Sequence, residues 1–147
     1  MRAFLITGGL VFFLDWLSKA LLEKILPWKL VVIPGFFNLV KVRNPGIAFG
    51  LGSNLGEQAR FLFIGLALLG VGILVGLSRS EKKIRNQIAL GMVAGGALGN
   101  AWDRLLHGAV FDFLDFHLGP YHWPAFNLAD AAITLGLFLY LWGLKSE

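Results

Sequence analysis

Hydrophobic positions gather into four long stretches, 3–22, 61–77, 88–106 and 126–144, separated by segments where charged and turn-forming residues return. Each stretch is close to the ~17 to 25 residues that a helix needs to cross a hydrocarbon core of about 30 Å. The pattern predicts an all-α membrane protein with four transmembrane helices, a single membrane domain over 1–147. Residues 28–52 break it. WKLVVIPGFFNLVKVRNPGIAFG, at 28–50, is rich in β-branched and aromatic residues, and Pro34-Gly35 and Pro45-Gly46 supply turns. A small extracytoplasmic β subdomain is expected at 28–52, and an extracytoplasmic loop at 107–125. Asn54, with Glu57 three residues on, is expected to cap the helix entering the second span. No internal repeat or low-complexity tract interrupts the chain.

Composition sharpens the class. Of 147 residues, 56% are hydrophobic and 15% charged, with mean hydropathy +0.70. A soluble domain has roughly 45 to 50% apolar and roughly 25% charged residues, so that class is excluded. The lack of cysteine excludes a thiol nucleophile, a disulfide framework and Cys-ligated metal sites. The net charge of +4 suits an anionic cytoplasmic leaflet, and no nucleic acid is expected as a partner. Four basic residues crowd RSEKKIR at 79–85, and Lys145 follows the fourth span. Basic segments stay inside, which places both termini, with Arg2, in the cytoplasm. Lys24, Lys29, Lys41, Arg43 and Arg60 fall in the predicted outer segment, so orientation rests on the density of the short inner loop. Asp15 and Lys19 interrupt the first span and no small-x-small site precedes a polar start, so that span is expected to stay rather than be removed as a signal peptide.

The polar residues carry the chemistry, because an ionisable group inside a span costs about 2.5 to 3.5 kcal/mol on insertion scales. With the N-terminus inside, Asp15 lies about 18 Å up the first span at ~1.5 Å per residue, in its outer half. Asp103, Asp112, Asp115 and Asp130 fall at the same level, near the outer interface. Asp15, Ser18 and Lys19 share one helical face at i, i+3 and i+4, as do Asn100, Asp103 and Arg104. For Asp15 and Lys19, an ion pair that eases insertion and a catalytic role both fit; for Asp103 and its neighbours a structural polar seam fits best. Gly91, Gly95 and Gly99 have the spacing of close helix packing. Asp112 in VFDFLDF and Asp130 in FNLAD lack a basic residue one helical turn away. Two carboxylates meeting in an apolar site share one proton, the condition for activating a water against a peptide carbonyl. Helix capping or interfacial solvation fits them too. His107, His117 and His122 with Asp115 lack helical metal-ligand spacing, so no metal and no cofactor is expected. Ser18 and Lys19 point about 100° apart on a helix, which argues against a Ser-Lys dyad. The tryptophans 16, 28, 102, 123 and 142 mostly fall near span ends, as an aromatic belt would.

Four motifs in order resemble one family. DWLSK at 15–19, VRNPGIAFG at 42–50, GGALGNAWDR at 95–104 with VFDF at 110–113, and PAFNLAD at 124–130 are similar to those of the lipoprotein signal peptidases, or signal peptidase II, the bacterial inner-membrane aspartyl peptidases. The resemblance runs from Asp15 to Ile133. It implies that Asp112 and Asp130 are the catalytic pair. It also implies that Asn44, Gly46, Asn100, Arg104 and Asn127 bind substrate or support the pair, and that Asp15 and Lys19 stabilise the surrounding fold. The implied substrate is a diacylglyceryl-modified prolipoprotein cut just before its lipid-bearing cysteine. The implied setting is the inner membrane, multi-pass, with the site near the outer leaflet and membrane lipids around it. A monomer is expected, since one chain holds a complete site. Ala131 departs from the Ser that relatives often carry there. A cation-coupled transporter would place its acids at the midplane within paired repeats, and a non-enzymatic assembly factor would tolerate Asp112→Asn.

Overall fold

A computed structural model of the chain describes residues 1–46 and 56–145. The expected cap at Asn54 and residues 47–52 of the expected β subdomain lie outside the described residues. In chain order the elements are α1 (Arg2–Ile25), β1 (Lys29–Ile33), β2 (Phe37–Asn44), α2 (Gly56–Ser80), α3 (Ile84–His107), β3 (Val110–Leu118), β4 (Tyr121–His122) and α4 (Leu128–Lys145). Among the described residues these make four helices and a four-stranded antiparallel sheet, ordered β1-β2-β3-β4.

Burial is inverted relative to a soluble protein. Leu5, Leu10, Phe13, Leu69 and Phe138 face outward, whereas Asp15, Lys19, Asn38, Asn86, Asp103 and Asn127 are buried. Apolar side chains gain nothing by meeting each other in lipid, so polar contacts and close backbone approach must hold the helices together. Helix α3 supplies both. Cβ atoms built at Gly91 and Gly95 would stand 2.6 Å from the Phe4 carbonyl oxygen and 2.4 Å from that of Gly8, so α1 rests directly on the glycine face. On the other side, a Cβ at Gly96 would come 2.5 Å from the Ala129 carbonyl, and one at Gly136 of α4 2.7 Å from that of Ala89. The centre of the bundle is therefore α3, clasped between α1 and α4.

Among the described residues two helices, Arg2–Ile25 and Glu57–Ser80, are long and apolar enough to cross a membrane, against the four expected. In α3 the apolar run is broken by buried Asn86, Asn100, Asp103 and Arg104, and the apolar part of α4, Leu128–Gly143, is shorter.

The β subdomain extends beyond its expected bounds. The segment 107–125, read from sequence as a loop, contributes β3 and β4, and β3 pairs with β2 from Phe37↔Phe116 to Asn44↔Val110. Its alternation divides two environments. Phe111 and Phe113 pack with Leu22 and Leu26 at the end of α1, while Val110 and Asp112 line a cavity on the other face.

Candidate active site

Strand β3 delivers Asp112, and the chain then turns through β4 and returns along it. Phe126 accepts from the Phe113 and Leu114 amides and donates to the Leu114 carbonyl at 3.1 Å. That clasp sets the start of α4 beside Asp112. At the α4 N-terminus, Asn127 Oδ1 accepts the Asp130 amide at 2.9 Å and Asp130 Oδ2 accepts the Asn127 amide at 3.3 Å, a reciprocal capping arrangement. Asp15 Oδ1 satisfies another first-turn amide, that of Ala129, at 2.9 Å.

Around the two carboxylates the amides form a connected network. Asn127 Nδ2 lies 2.7 Å from Asp112 Oδ1 and 3.1 Å from Asn100 Oδ1, and Asn44 Nδ2 donates to Asp112 Oδ2 at 3.2 Å. Asn100 Nδ2 donates to Asp130 Oδ1 at 2.7 Å, while Asn100 Oδ1 also accepts Lys19 Nζ at 3.1 Å. Lys19 in turn meets Asp15 at 2.7 Å and Asp103 at 3.1 Å. Asp103 also accepts the Phe111 amide at 3.0 Å, tying β3 to α3. The seam expected within α3 is thus drawn across helices: Asp103 pairs with Lys19 of α1. Arg104 points elsewhere, donating to the Asn100 carbonyl at 3.3 Å and to the Gly46 carbonyl, with its guanidinium 5.3 Å from the Phe63 ring centroid. Gly46 is held a second time, its amide donating to Asn44 Oδ1 at 3.0 Å.

All ten residues singled out from sequence are described. Asn44, Asn100, Arg104, Asp112 and Asp130 line one cavity of about 810 Å³ whose other walls include Phe63, Leu66, Ala67, Trp123, Phe126 and Ile133. Asn127 is fully buried behind it, Gly46 is held by Asn44 and Arg104, and Asp15, Lys19 and Asp103 lie one layer deeper. Among the described residues each carboxylate oxygen of the pair receives one protein donor, which leaves further lone pairs for a proton or a water. Burial, reinforced by the Asp130 charge and opposed by the Asn44 and Asn127 hydrogen bonds, pushes Asp112 up to about 7.

The residues of a second polar cluster are set aside as metal ligands by their spacing in the sequence. Asp115, on the opposite side of β3 from Asp112, accepts Asn38 Nδ2 at 2.7 Å and lies 2.7 Å from His122 Nδ1; His122 stacks on His117 at 4.5 Å. Burial raises the Asp115 pKa, but the Asn38 and His122 hydrogen bonds outweigh it and hold the group below the usual carboxylate range. His107 is elsewhere, 3.9 Å from Asp103. Among the described residues no cluster of His, Cys, Asp or Glu could hold a metal ion. The broken alternation in VFDFLDFHL, present over 111–113 and 115–118 and interrupted at Leu114, was the available signal for β3, and with it for this clasp.

The sequence model described as Signal peptidase (SPase) II matches residues 7–145. The chain belongs to the signal peptidase II family. The lipoprotein signal peptidase of Azoarcus sp. (strain BH72) is 44% identical over 144 residues, covering 97% of this chain and 82% of that one. That of Sulfurihydrogenibium sp. (strain YO3AOP1) is 41% identical over 143 residues, with 94% and 88% covered. A solved structure described as a bacterial membrane enzyme, determined by the in meso method at 2.3 Å resolution, superposes with a TM-score of 0.86 at 28% identity, covering 99% of this chain and 89% of that one. Membership of the signal peptidase II family makes the protein a peptidase, and its apolar helices agree with a membrane setting.

Proposed function

We propose that this signal peptidase II is an aspartic endopeptidase of the bacterial inner membrane that removes the signal peptide from diacylglyceryl-modified prolipoproteins, cutting just before the lipid-bearing cysteine. The observation that carries the reading is the convergence of Asp112 and Asp130, from different elements, on one largely apolar cavity. The names of the relatives supply the substrate class. All four helices span in this reading, with the ends of α2 and α4 near Ser80 and Gly143 on the cytoplasmic side and the sheet on the outer face.

With its pKa pushed up to about 7, Asp112 is the member of the pair that carries the shared proton in this mechanism, and Asp130 takes a proton from water as that water's oxygen attacks the peptide carbonyl carbon. Asp112 donates its proton to the carbonyl oxygen, giving a neutral gem-diol. The diol then collapses: one hydroxyl returns its proton to Asp112 as the C–N bond breaks, and the proton held by Asp130 passes to the leaving nitrogen. Asn44 and Asn100 hold the two carboxyls in orientation, and Arg104, which lines the cavity, offers a cationic donor at its wall. The apolar wall of Leu66, Ala67, Ile133 and Leu135 receives the lipid.

The test is cleavage of a diacylglyceryl-modified prolipoprotein by the purified protein, comparing wild type, Asp112→Asn and Asp130→Asn, with an unlipidated control. Loss in both folded variants and an uncut control is the expected result. Cleavage surviving either substitution would overturn the pair.

A further inference from the structure

Helices α1 and α2 both lean on α3 but part company along their length. At one end they converge: Phe4 packs with Leu90 and Ala94, and Val71, Leu74 and Val75 of α2 close over that cluster. Toward the other end lies a second cavity, of about 420 Å³, separated from the first by α2 itself. Gly9 and Phe12 of α1, Ile64 and Leu68 of α2, and Leu98 and Trp102 of α3 are among its lining residues, and none is charged. Gly9 leaves it open, since a Cβ there would meet nothing within 4 Å.

The groove has a cation at its mouth. Arg60 precedes Ile64 and Leu68 at i, i+4 and i+8, so the three share one stripe of α2. Its Nη2 donates to the carbonyl oxygen of Leu105, itself a lining residue. That bond ties the guanidinium to a residue of the lining, and Arg60 Nε is buried without a partner among the described residues. From Arg60 to Leu68 is about 12 Å at ~1.5 Å per residue, directed from the outer end of α2 into the membrane. A narrow apolar slot under a fixed guanidinium is complementary to a phosphate with an acyl chain below it.

We infer that the α1–α2 groove is a binding site for an anionic phospholipid of the surrounding bilayer, its phosphate on Arg60 and one acyl chain between Gly9, Phe12, Leu68 and Trp102. The inference rests on the membrane placement proposed above but not on the cleavage chemistry, and its test reads lipid rather than peptide product.

The protein in nanodiscs would be photolabelled with a phosphatidylglycerol bearing a diazirine midway along one chain, and the labelled peptides mapped. Labelling concentrated on Phe12, Leu98 and Trp102 is expected, about fivefold above an equally tagged phosphatidylcholine, the discrimination one basic residue near a lipid phosphate supplies. Arg60→Gln should remove that preference, and Gly9→Leu, which fills open space, should remove the labelling itself while prolipoprotein cleavage and thermal unfolding stay as in wild type. Equal labelling by both lipids, or labelling indifferent to Gly9→Leu, would overturn the site. Displacement of the label by a diacylglyceryl-modified peptide would assign the groove to substrate and overturn it as well. If the site holds while cleavage of prolipoprotein is absent, the catalytic reading fails and the lipid site does not.

Discussion

At Asp112 the raised pKa links protonation to folding. The folded protein binds a proton that the unfolded chain releases between the ordinary value of 3.8 and about 7, so rising pH through that window removes stability. Unfolding temperature of the wild type should therefore fall from pH 5 to pH 8 relative to Asp112→Asn, which cannot ionise there; parallel curves would mean the carboxyl is not held protonated. Arg104 makes a different prediction. Its forked guanidinium reaches the carbonyls of Asn100 and Gly46 together, a geometry a lysine ammonium cannot reproduce. Arg104→Lys should lower kcat/KM about tenfold or more, the scale of a lost charge-assisted hydrogen bond, with little change in unfolding temperature. Unchanged turnover would remove Arg104 from the site.

At the level of elements, the glycine contacts of α3 separate backbone necessity from mere smallness. Gly95→Ala places a methyl 2.4 Å from a carbonyl oxygen and must push α1 away, which should cost about 1 to 3 kcal/mol in thermal unfolding. Gly70→Ala on α2, which meets nothing within 4 Å, should be neutral or stabilising. Equal effects at the two positions would contradict the packing. These contacts were legible in the fourfold spacing of Gly91, Gly95 and Gly99, because one helical face repeats at that interval. The strands were legible only in part. Residues 29–44 announced themselves by β-branched content, but VFDFLDFHL hid its alternation among aromatics that occupy both faces of β3. The pairing of Lys19 with Asp15 was legible in their i, i+4 spacing, but that of Lys19 with Asp103 was not: helical spacing finds neighbours on one helix, and this pair joins two. The amide bridge through Asn100 and Asn127 lay in motifs that could be quoted, yet its bonds depend on a chain reversal along β3.

For the whole molecule, the proposed topology puts Ser80 inside and the β3–β4 turn outside. A chain without cysteine allows each position to be marked singly. Tyr121→Cys should react with a membrane-impermeant maleimide in intact spheroplasts and Ser80→Cys only after lysis; the reverse pattern would invert the protein in the membrane. The buried polar layer has a consequence for how this molecule stands ready. Lys19 has only protons to give, so it captures the oxygen of Asn100 and turns the amide nitrogen toward Asp130. Were Asn100 to rotate end for end, its nitrogen would face an ammonium and its oxygen a carboxyl oxygen, two clashes for one error. The wrong orientation therefore corrects itself, and under the proposed mechanism the pair stands oriented before any substrate arrives.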